Sequence, residues 1–115
     1  MKQIAIFLLV SVSASFAFAQ TSWTGYLADK MCSERLTTSE AKAAGHTKEC
    51  LVEEHCAKSG YGVIVDGKYY KFDKKGDELA AELLKNSQKA KGFKVVVTGS
   101  LKKKKISVTN LAEAN

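Results

Sequence analysis

The segment from His46 to Cys56, HTKECLVEEHC, contains both histidines of the chain and two of its three cysteines. Thiolates and imidazoles are the side chains that bind zinc and copper, and a thiol beside a histidine can act as a nucleophile. Cysteines in an oxidising compartment also form disulfides. The segment therefore allows a metal site, half of a disulfide, a catalytic thiol or simply the inner face of a helix.

The first nineteen residues have the layout of a secretory signal peptide. Lys2 precedes an apolar run from Ile4 to Val10, and Ala17-Phe18-Ala19 is a small-residue cleavage site. Serines interrupt the stretch after this run, so it is too short to span a bilayer, which takes about 20 apolar residues. We expect cleavage after Ala19, a secreted or periplasmic location, and no transmembrane segment in residues 20–115.

The 96 residues that remain after cleavage are enough for one small domain. Their charge is unevenly distributed, because residues 20–66 carry five basic and seven acidic side chains, whereas residues 67–115 carry twelve and five. A lysine-rich half can attract anionic partners, and it also keeps a small secreted protein in solution. The chain has no phosphate loop and no acid-base constellation around its two histidines, so we do not expect an enzyme.

Hydrophobic periodicity and turn residues predict strands and helices in the order strand, helical insert, hairpin, helix, hairpin. A short helical turn that begins with a capping box at Thr37 and Glu40 is predicted to end at Gly45. Thr47 is predicted to cap a second helix that runs to Lys58. The predicted strands are 23–28, with a bend at Gly25, then 61–65, 68–72, 93–101 and 106–109.

The turn between the second and third strands is predicted to be a type I′ turn at Asp66-Gly67. An amphipathic helix is predicted from Gly76-Asp77 to Asn86, between strands three and four. This α+β order matches a five-stranded OB-like barrel with a helical insert between strands one and two. A plain α+β sandwich is the alternative architecture.

Four stretches, GYLADKMC, GHTKEC with the cysteine that follows it, VIVDGKYYKFD and VVVTGSLKKKKISV, together resemble a group of small secreted bacterial domains of OB-like character. The group is largely uncharacterised and implies no activity. The resemblance covers most of residues 20–115 and implies a single OB-like domain. In these resembling domains the later cysteines tend to lie one helical turn apart, whereas Cys50 and Cys56 are six residues apart in this chain. The matching positions are Gly25, Asp29, Cys32, His46, Cys50, Cys56, Asp66, Gly67, Lys68, Tyr70, Gly99 and Leu101.

A structural disulfide is the first expectation for the cysteines, because the export signal directs the chain to an oxidising compartment. On one regular helix Cys50 and Cys56 would project about 120° apart, so they could not bond to each other. Cys32 is then the partner of one of them. Cys32–Cys56 is favoured because Cys56 faces the core side of the predicted helix, and Cys32–Cys50 stays open.

A zinc or copper site is the alternative, with Cys32, Cys50 and Cys56 as ligands together with His46 or His55. His46 and Cys50 are four residues apart, so one helical turn could present both. No C-x-x-C knuckle supports this set. A catalytic Cys50 activated by His46 would lack an orienting partner. Apart from the alternative metal, no cofactor is expected.

The sequence thus favours a non-enzymatic binding or structural module of the cell envelope or exterior, whose ligand is unknown and for which an anion is one option. OB-like barrels bind with one sheet face and with the loop between strands four and five. Single-stranded nucleic acid is a further alternative, because aromatic rings stack on bases and lysines contact phosphates, but export argues against it. The predicted ligand or polyanion surface consists of Tyr69, Lys71, Lys102, Lys103, Lys104 and Lys105.

Overall fold

The computed structural model describes residues 20–114, and the predicted signal peptide lies outside the described residues. The strands are β1 (Thr21–Asp29), β2 (Tyr61–Val65), β3 (Lys68–Phe72), β4 (Lys94–Lys102) and β5 (Lys105–Glu113). The helices are α1 (Ser33–Leu36), α2 (Glu40–Ala44), α3 (Lys48–Val52), α4 (Glu54–Ser59) and α5 (Lys74–Asn86), with a 3₁₀ turn at Lys30–Cys32. Within the described residues, no helix is long and apolar enough to cross a membrane.

The five strands form one sheet that closes on itself in the order β1-β2-β3-β5-β4. The predicted mixture of helices with a five-stranded sheet is therefore confirmed. Neighbouring strands are antiparallel except for β3 and β5, which run parallel and pair Lys71 with Lys105 and Phe72 with Ile106. This parallel pairing brings the end of β3 next to the start of β5.

The first strand pairs with two neighbours, because residues 21–26 pair with β4 and residues 26–29 pair with β2. Gly25 lies next to this change of partner. A Cβ at Gly25 would collide with the carbonyl oxygen of Ile64, so the close approach of β1 and β2 requires a glycine at this position.

Apolar side chains fill the space enclosed by the sheet, and α5 contributes Ala80 and Leu84 to them. A second apolar cluster lies on the opposite face of β1 and β2, where Leu36 of α1 and Ala43 of α2 pack on the sheet. The helical insert therefore covers part of the outer sheet surface. The main core includes Leu27, Val63, Phe72, Phe93, Val95, Val97, Ile106 and Val108.

Two local predictions are confirmed, and two differ from the structure. Asp66 and Gly67 have φ angles of 50° and 74°, as the predicted type I′ turn requires. The side chain of Thr47 accepts a hydrogen bond from the backbone N–H of Cys50 and caps α3. The cap of α2, in contrast, is Ser39 and not the predicted Thr37. The fifth helix begins at Lys74, before the predicted start, because Asp73 caps it.

The prediction of one regular helix from Thr47 to Lys58 is wrong. Glu53 has a ψ angle of 140°, which ends α3. The Glu53 carboxylate accepts hydrogen bonds from the backbone N–H groups of His55 and Cys56 and thereby starts α4. A side chain that can cap its own following residues competes with helix continuation. The angle of 120° between Cys50 and Cys56 therefore does not apply.

Candidate functional site

Asp29, the last residue of β1, is a fully buried carboxylate, and its two oxygens have different partners. Oδ1 lies 2.7 Å from Nε2 of His46, and Oδ2 accepts a hydrogen bond of 3.0 Å from the backbone N–H of Cys32. Burial alone would raise the pKa of Asp29. The hydrogen bonds from His46 and Cys32 outweigh this effect and hold the pKa below its ordinary value.

His46 lies between α2 and α3 and is only 4% exposed. Its backbone is held at both polar groups, because its N–H donates to the carbonyl of Ala43 (3.3 Å) and its carbonyl accepts from the N–H of Gly92 (3.2 Å). The helical insert therefore delivers an imidazole to the buried end of β1. A buried carboxylate with such a partner stays ionised at a lower cost than an isolated one.

Cys32 and Cys56 bring their thiols to the same place. Both sulfur atoms and a carboxylate oxygen of Asp29 lie within 4.8 Å of one another. Cys56 is buried in α4, Cys32 is partly exposed at the end of the 3₁₀ turn, and both are free thiols in the structure. We call Asp29, His46, Cys32 and Cys56 the cysteine cluster.

The surroundings of these thiols favour their protonated form. Burial raises the pKa of Cys56 to about 12, with further contributions from the hydrogen bond to Glu53 and the nearby charge of Asp29. Burial and then the Asp29 charge also raise the pKa of Cys32. A reactive nucleophilic cysteine needs a lowered pKa, so neither thiol is activated for catalysis.

The backbone around the cysteine cluster is fixed by hydrogen bonds between the 3₁₀ turn and the end of α4. The N–H of Lys30 donates to the carbonyl of Gly60 (2.9 Å), and the N–H of Met31 donates to the hydroxyl of Ser59 (3.1 Å). The Ser59 hydroxyl in turn donates to the carbonyl of Cys56 (2.6 Å). The two cysteines are thus held on backbone segments that are joined independently of sulfur chemistry.

The predicted metal set of Cys32, His46, Cys50 and Cys56 is brought together only in part. Cys50 is exposed on α3 and is not a member of the cluster around Asp29. His46 joins the cluster through Asp29 rather than through Cys50. His55 is exposed, 3.9 Å from Glu53 Oε1.

Asp29 was matched in the sequence only as part of the family resemblance and was not predicted as a site residue. Its position three residues before Cys32 is the spacing at which an aspartate side chain caps a following turn, and this spacing was visible in the sequence. Its contact with His46 joins residues 17 positions apart and has no local signal.

The predicted polyanion surface includes four consecutive lysines at the turn between β4 and β5. All four are exposed, and Lys103 and Lys104 have φ angles of 51° and 62°. The N–H of Lys71 donates to the carbonyl of Lys104 (3.1 Å), so the turn lies against β3. None of the ion pairs found between residues 20–114 involves these lysines. We call Lys71, Lys102, Lys103, Lys104 and Lys105 the lysine edge.

A shallow groove of about 420 Å³ adjoins the lysine edge, with Lys68 and Lys104 among its lining residues. Tyr69 and Tyr70 also line it. Tyr69 is half-buried against the second apolar cluster, and its hydroxyl is buried without a hydrogen-bond partner. Burial raises the pKa of Tyr69 accordingly. The groove therefore combines aromatic surface with two lysines and one carboxylate, Glu34.

Comparison of the chain with protein-family models, with curated proteins and with solved structures finds no match. The chemistry of the cysteine cluster and of the lysine edge is therefore the basis for assigning a function.

Proposed function

We propose that this chain is a non-enzymatic, OB-like binding module of the cell envelope or exterior that binds an acidic polysaccharide on its lysine edge and is stapled by a disulfide between Cys32 and Cys56. The closed strand order and the position of α5 between β3 and β4 support the OB-like assignment. OB-like barrels use the loop between strands four and five for binding, which corresponds here to the lysine turn.

The observation that carries the binding proposal is the parallel pairing of β3 and β5. It places Lys71 in register with Lys105 and against the carbonyl of Lys104. The half-buried Lys71 is thereby placed beside the four exposed lysines of the turn, Lys102 to Lys105. Exposed like charges repel one another, and a polyanion relieves this repulsion while it gains attraction to each ammonium group. The adjoining groove offers Tyr70 as a surface for the carbon skeleton of a sugar ring.

The staple proposal rests on the proximity of the Cys32 and Cys56 sulfurs. A disulfide-bonded oxidant such as oxidised glutathione would take up two electrons and two protons from the two thiols, giving one protein disulfide and two glutathione thiols. Closure of this loop would stabilise the domain by about 3 kcal/mol. Cys50 then remains the free thiol.

Binding is tested by titration with polygalacturonate, a carboxylated polysaccharide, at low and at physiological ionic strength. We expect binding that weakens with salt and an affinity loss of about tenfold to hundredfold in the triple variant Lys102→Gln, Lys103→Gln, Lys104→Gln. The matched control removes three other exposed lysines, Lys85→Gln, Lys89→Gln and Lys91→Gln, and keeps the same net charge.

An equal loss of affinity in both triple variants would mean that net charge alone attracts the polymer and would overturn the lysine edge as a site. Neutral dextran should not bind. A thymidine oligonucleotide of equal charge provides the comparison with nucleic acid, and tighter binding to it at physiological salt would replace the polysaccharide by single-stranded nucleic acid as the ligand.

A further inference from the structure

Asp29, Cys32 and Cys56 form a group whose three ligand atoms are already close together. Their mutual separations are all below 4.8 Å. In a tetrahedral zinc site with metal bonds of about 2.0–2.3 Å, neighbouring ligand atoms are about 3.3–3.8 Å apart. The upper limit of the observed separations is about 1–1.5 Å above that spacing, so closure of the site would need only small shifts of the side chains. Two sulfurs and one carboxylate oxygen are a donor set that suits zinc and its thiophilic analogues.

We propose that, when its cysteines are reduced, the protein binds one zinc-type divalent ion through Cys32 Sγ, Cys56 Sγ and a carboxylate oxygen of Asp29. This site replaces the ligand set predicted from the sequence, because Cys50 is outside it and His46 acts through Asp29. It goes beyond the proposed polysaccharide binding, which uses another part of the molecule.

The Asp29 carboxylate is oriented for this role. Each of its oxygens accepts one hydrogen bond, from His46 or from the Cys32 backbone, and each retains a second lone pair. A histidine that fixes a ligating carboxylate is a supporting contact of the kind that surrounds metal ligands in proteins. His46 is therefore a positioning residue, not a ligand.

The two cysteines are also placed before any ion arrives. Cys32 ends the 3₁₀ turn that Asp29 caps, and Cys56 lies in the first turn of α4, which Glu53 caps. The hydrogen bonds of Lys30 and Met31 to the end of α4 keep these two segments adjacent. An ion would therefore find three ligands on a fixed backbone, and its route from solvent passes the partly exposed Cys32.

The metal and the disulfide are alternative occupants of the same pair of sulfurs. A bound ion needs both thiolates, and a disulfide leaves neither available. Either occupant joins the 3₁₀ turn to α4. The redox state of the pair consequently decides whether the protein holds an ion or a covalent bond at this position.

The test uses the purified protein, fully reduced and kept free of oxygen, titrated with Cd²⁺ and with Zn²⁺. Cd²⁺ reports thiolate binding through an ultraviolet charge-transfer band, and competition with a chromophoric chelator gives the Zn²⁺ affinity. We expect one equivalent of either ion. Cys32→Ser and Cys56→Ser should lose the Cd²⁺ band, and Asp29→Asn should weaken Zn²⁺ binding by about tenfold or more.

Cys50→Ser is the matched control and should retain the stoichiometry, the band and the affinity. His46→Gln should weaken binding by about 10- to 100-fold while the band is retained, because the sulfur ligands remain. Circular dichroism of each variant separates loss of the site from loss of the fold, and Cys32→Ser, at a partly exposed position, remains informative even if a buried variant unfolds.

The proposal is overturned if the reduced wild-type protein binds no ion above the level of Cys32→Ser, or if Cys50→Ser loses binding equally. Oxidised protein should bind polygalacturonate and should lose Cd²⁺ binding at the Cys32–Cys56 pair, which the same titration of oxidised Cys50→Ser measures without the remaining thiol. Failure of the polysaccharide titration alone would contradict the proposed function and leave the metal site standing, so the two failures are distinguishable.

Discussion

The cysteine cluster and the lysine edge use charged groups in opposite ways. At the cysteine cluster, a fully buried Asp29 has a specified partner for each of its oxygens. At the lysine edge, four exposed lysines follow one another at the turn between β4 and β5 beside the half-buried Lys71, and none of the ion pairs between the described residues includes them. The buried charge contributes to holding the fold together, whereas the exposed charges leave their interactions open to a ligand. Perturbation of each region should therefore affect different measurements.

Removal of the buried carboxylate should have the largest effect. Asp29→Ala leaves the His46 imidazole and the Cys32 N–H without their acceptor, so we expect the free energy of unfolding to fall by about 1–3 kcal/mol for each of these two groups. Urea denaturation measures this change. Glu82→Ala, which removes an exposed carboxylate from α5, should change stability by less than about 0.5 kcal/mol. A similar small loss for both variants would mean that the buried pair contributes little.

Oxidation of the Cys32–Cys56 pair should have the next largest effect. The oxidised protein should be more stable than the reduced metal-free protein by about 3 kcal/mol. Cys32→Ser should abolish the difference, whereas Cys50→Ser should preserve it, and thermal unfolding with and without reductant measures both. If Cys50→Ser removes the difference instead, the disulfide involves the exposed cysteine of α3.

The pH dependence of stability sharpens the comparison further. Because the pKa of Asp29 is lower in the folded protein than in the unfolded chain, its contribution is present above the unfolded pKa and is lost as the pH falls through the folded pKa. The free energy of unfolding of the metal-free protein should therefore decline below about pH 5. Asp29→Asn should flatten this decline, and a curve parallel to that of the wild type would contradict the assignment.

The lysine turn should show the smallest effect on stability, and with the opposite sign. Lys103 and Lys104 occupy the left-handed region, which favours asparagine and glycine in such turns. Lys103→Asn with Lys104→Gly should stabilise the protein by about 1 kcal/mol and weaken polygalacturonate binding. Lys103→Gln with Lys104→Gln removes the same charges and keeps the unfavourable φ angles, so it should weaken binding without this gain in stability.

Sequence reasoning succeeded where a few adjacent residues determine the backbone. Asp66-Gly67 specifies its turn, and Thr47 caps α3, because both interactions are local. It failed at Glu53, where continuation of the helix competes with capping by the Glu53 side chain. Capping prevails, so α3 ends and α4 begins at this residue. Cys56 proved to be buried and Cys50 exposed, although the single helix from which these positions were inferred does not form.

The partner of Asp29 could not be predicted from the sequence. The partner is the imidazole of His46, which follows two short helices in the chain. Only the tertiary fold brings it into contact with Asp29. The metal site predicted from the spacing of His46 and Cys50 shows the same limit. That prediction relied on residues one helical turn apart, whereas Asp29, Cys32 and Cys56 come together only in the folded chain.

The closure of the sheet between β3 and β5 depends on only two register pairs, Lys71 with Lys105 and Phe72 with Ile106. This parallel pairing is the shortest strand pairing in the closed sheet, and two of its four residues, Lys71 and Lys105, belong to the lysine edge. A polymer that contacts both Lys71 and Lys105 would hold β3 and β5 together. Binding of the polymer should therefore slow amide hydrogen exchange at this pairing more than elsewhere in the sheet.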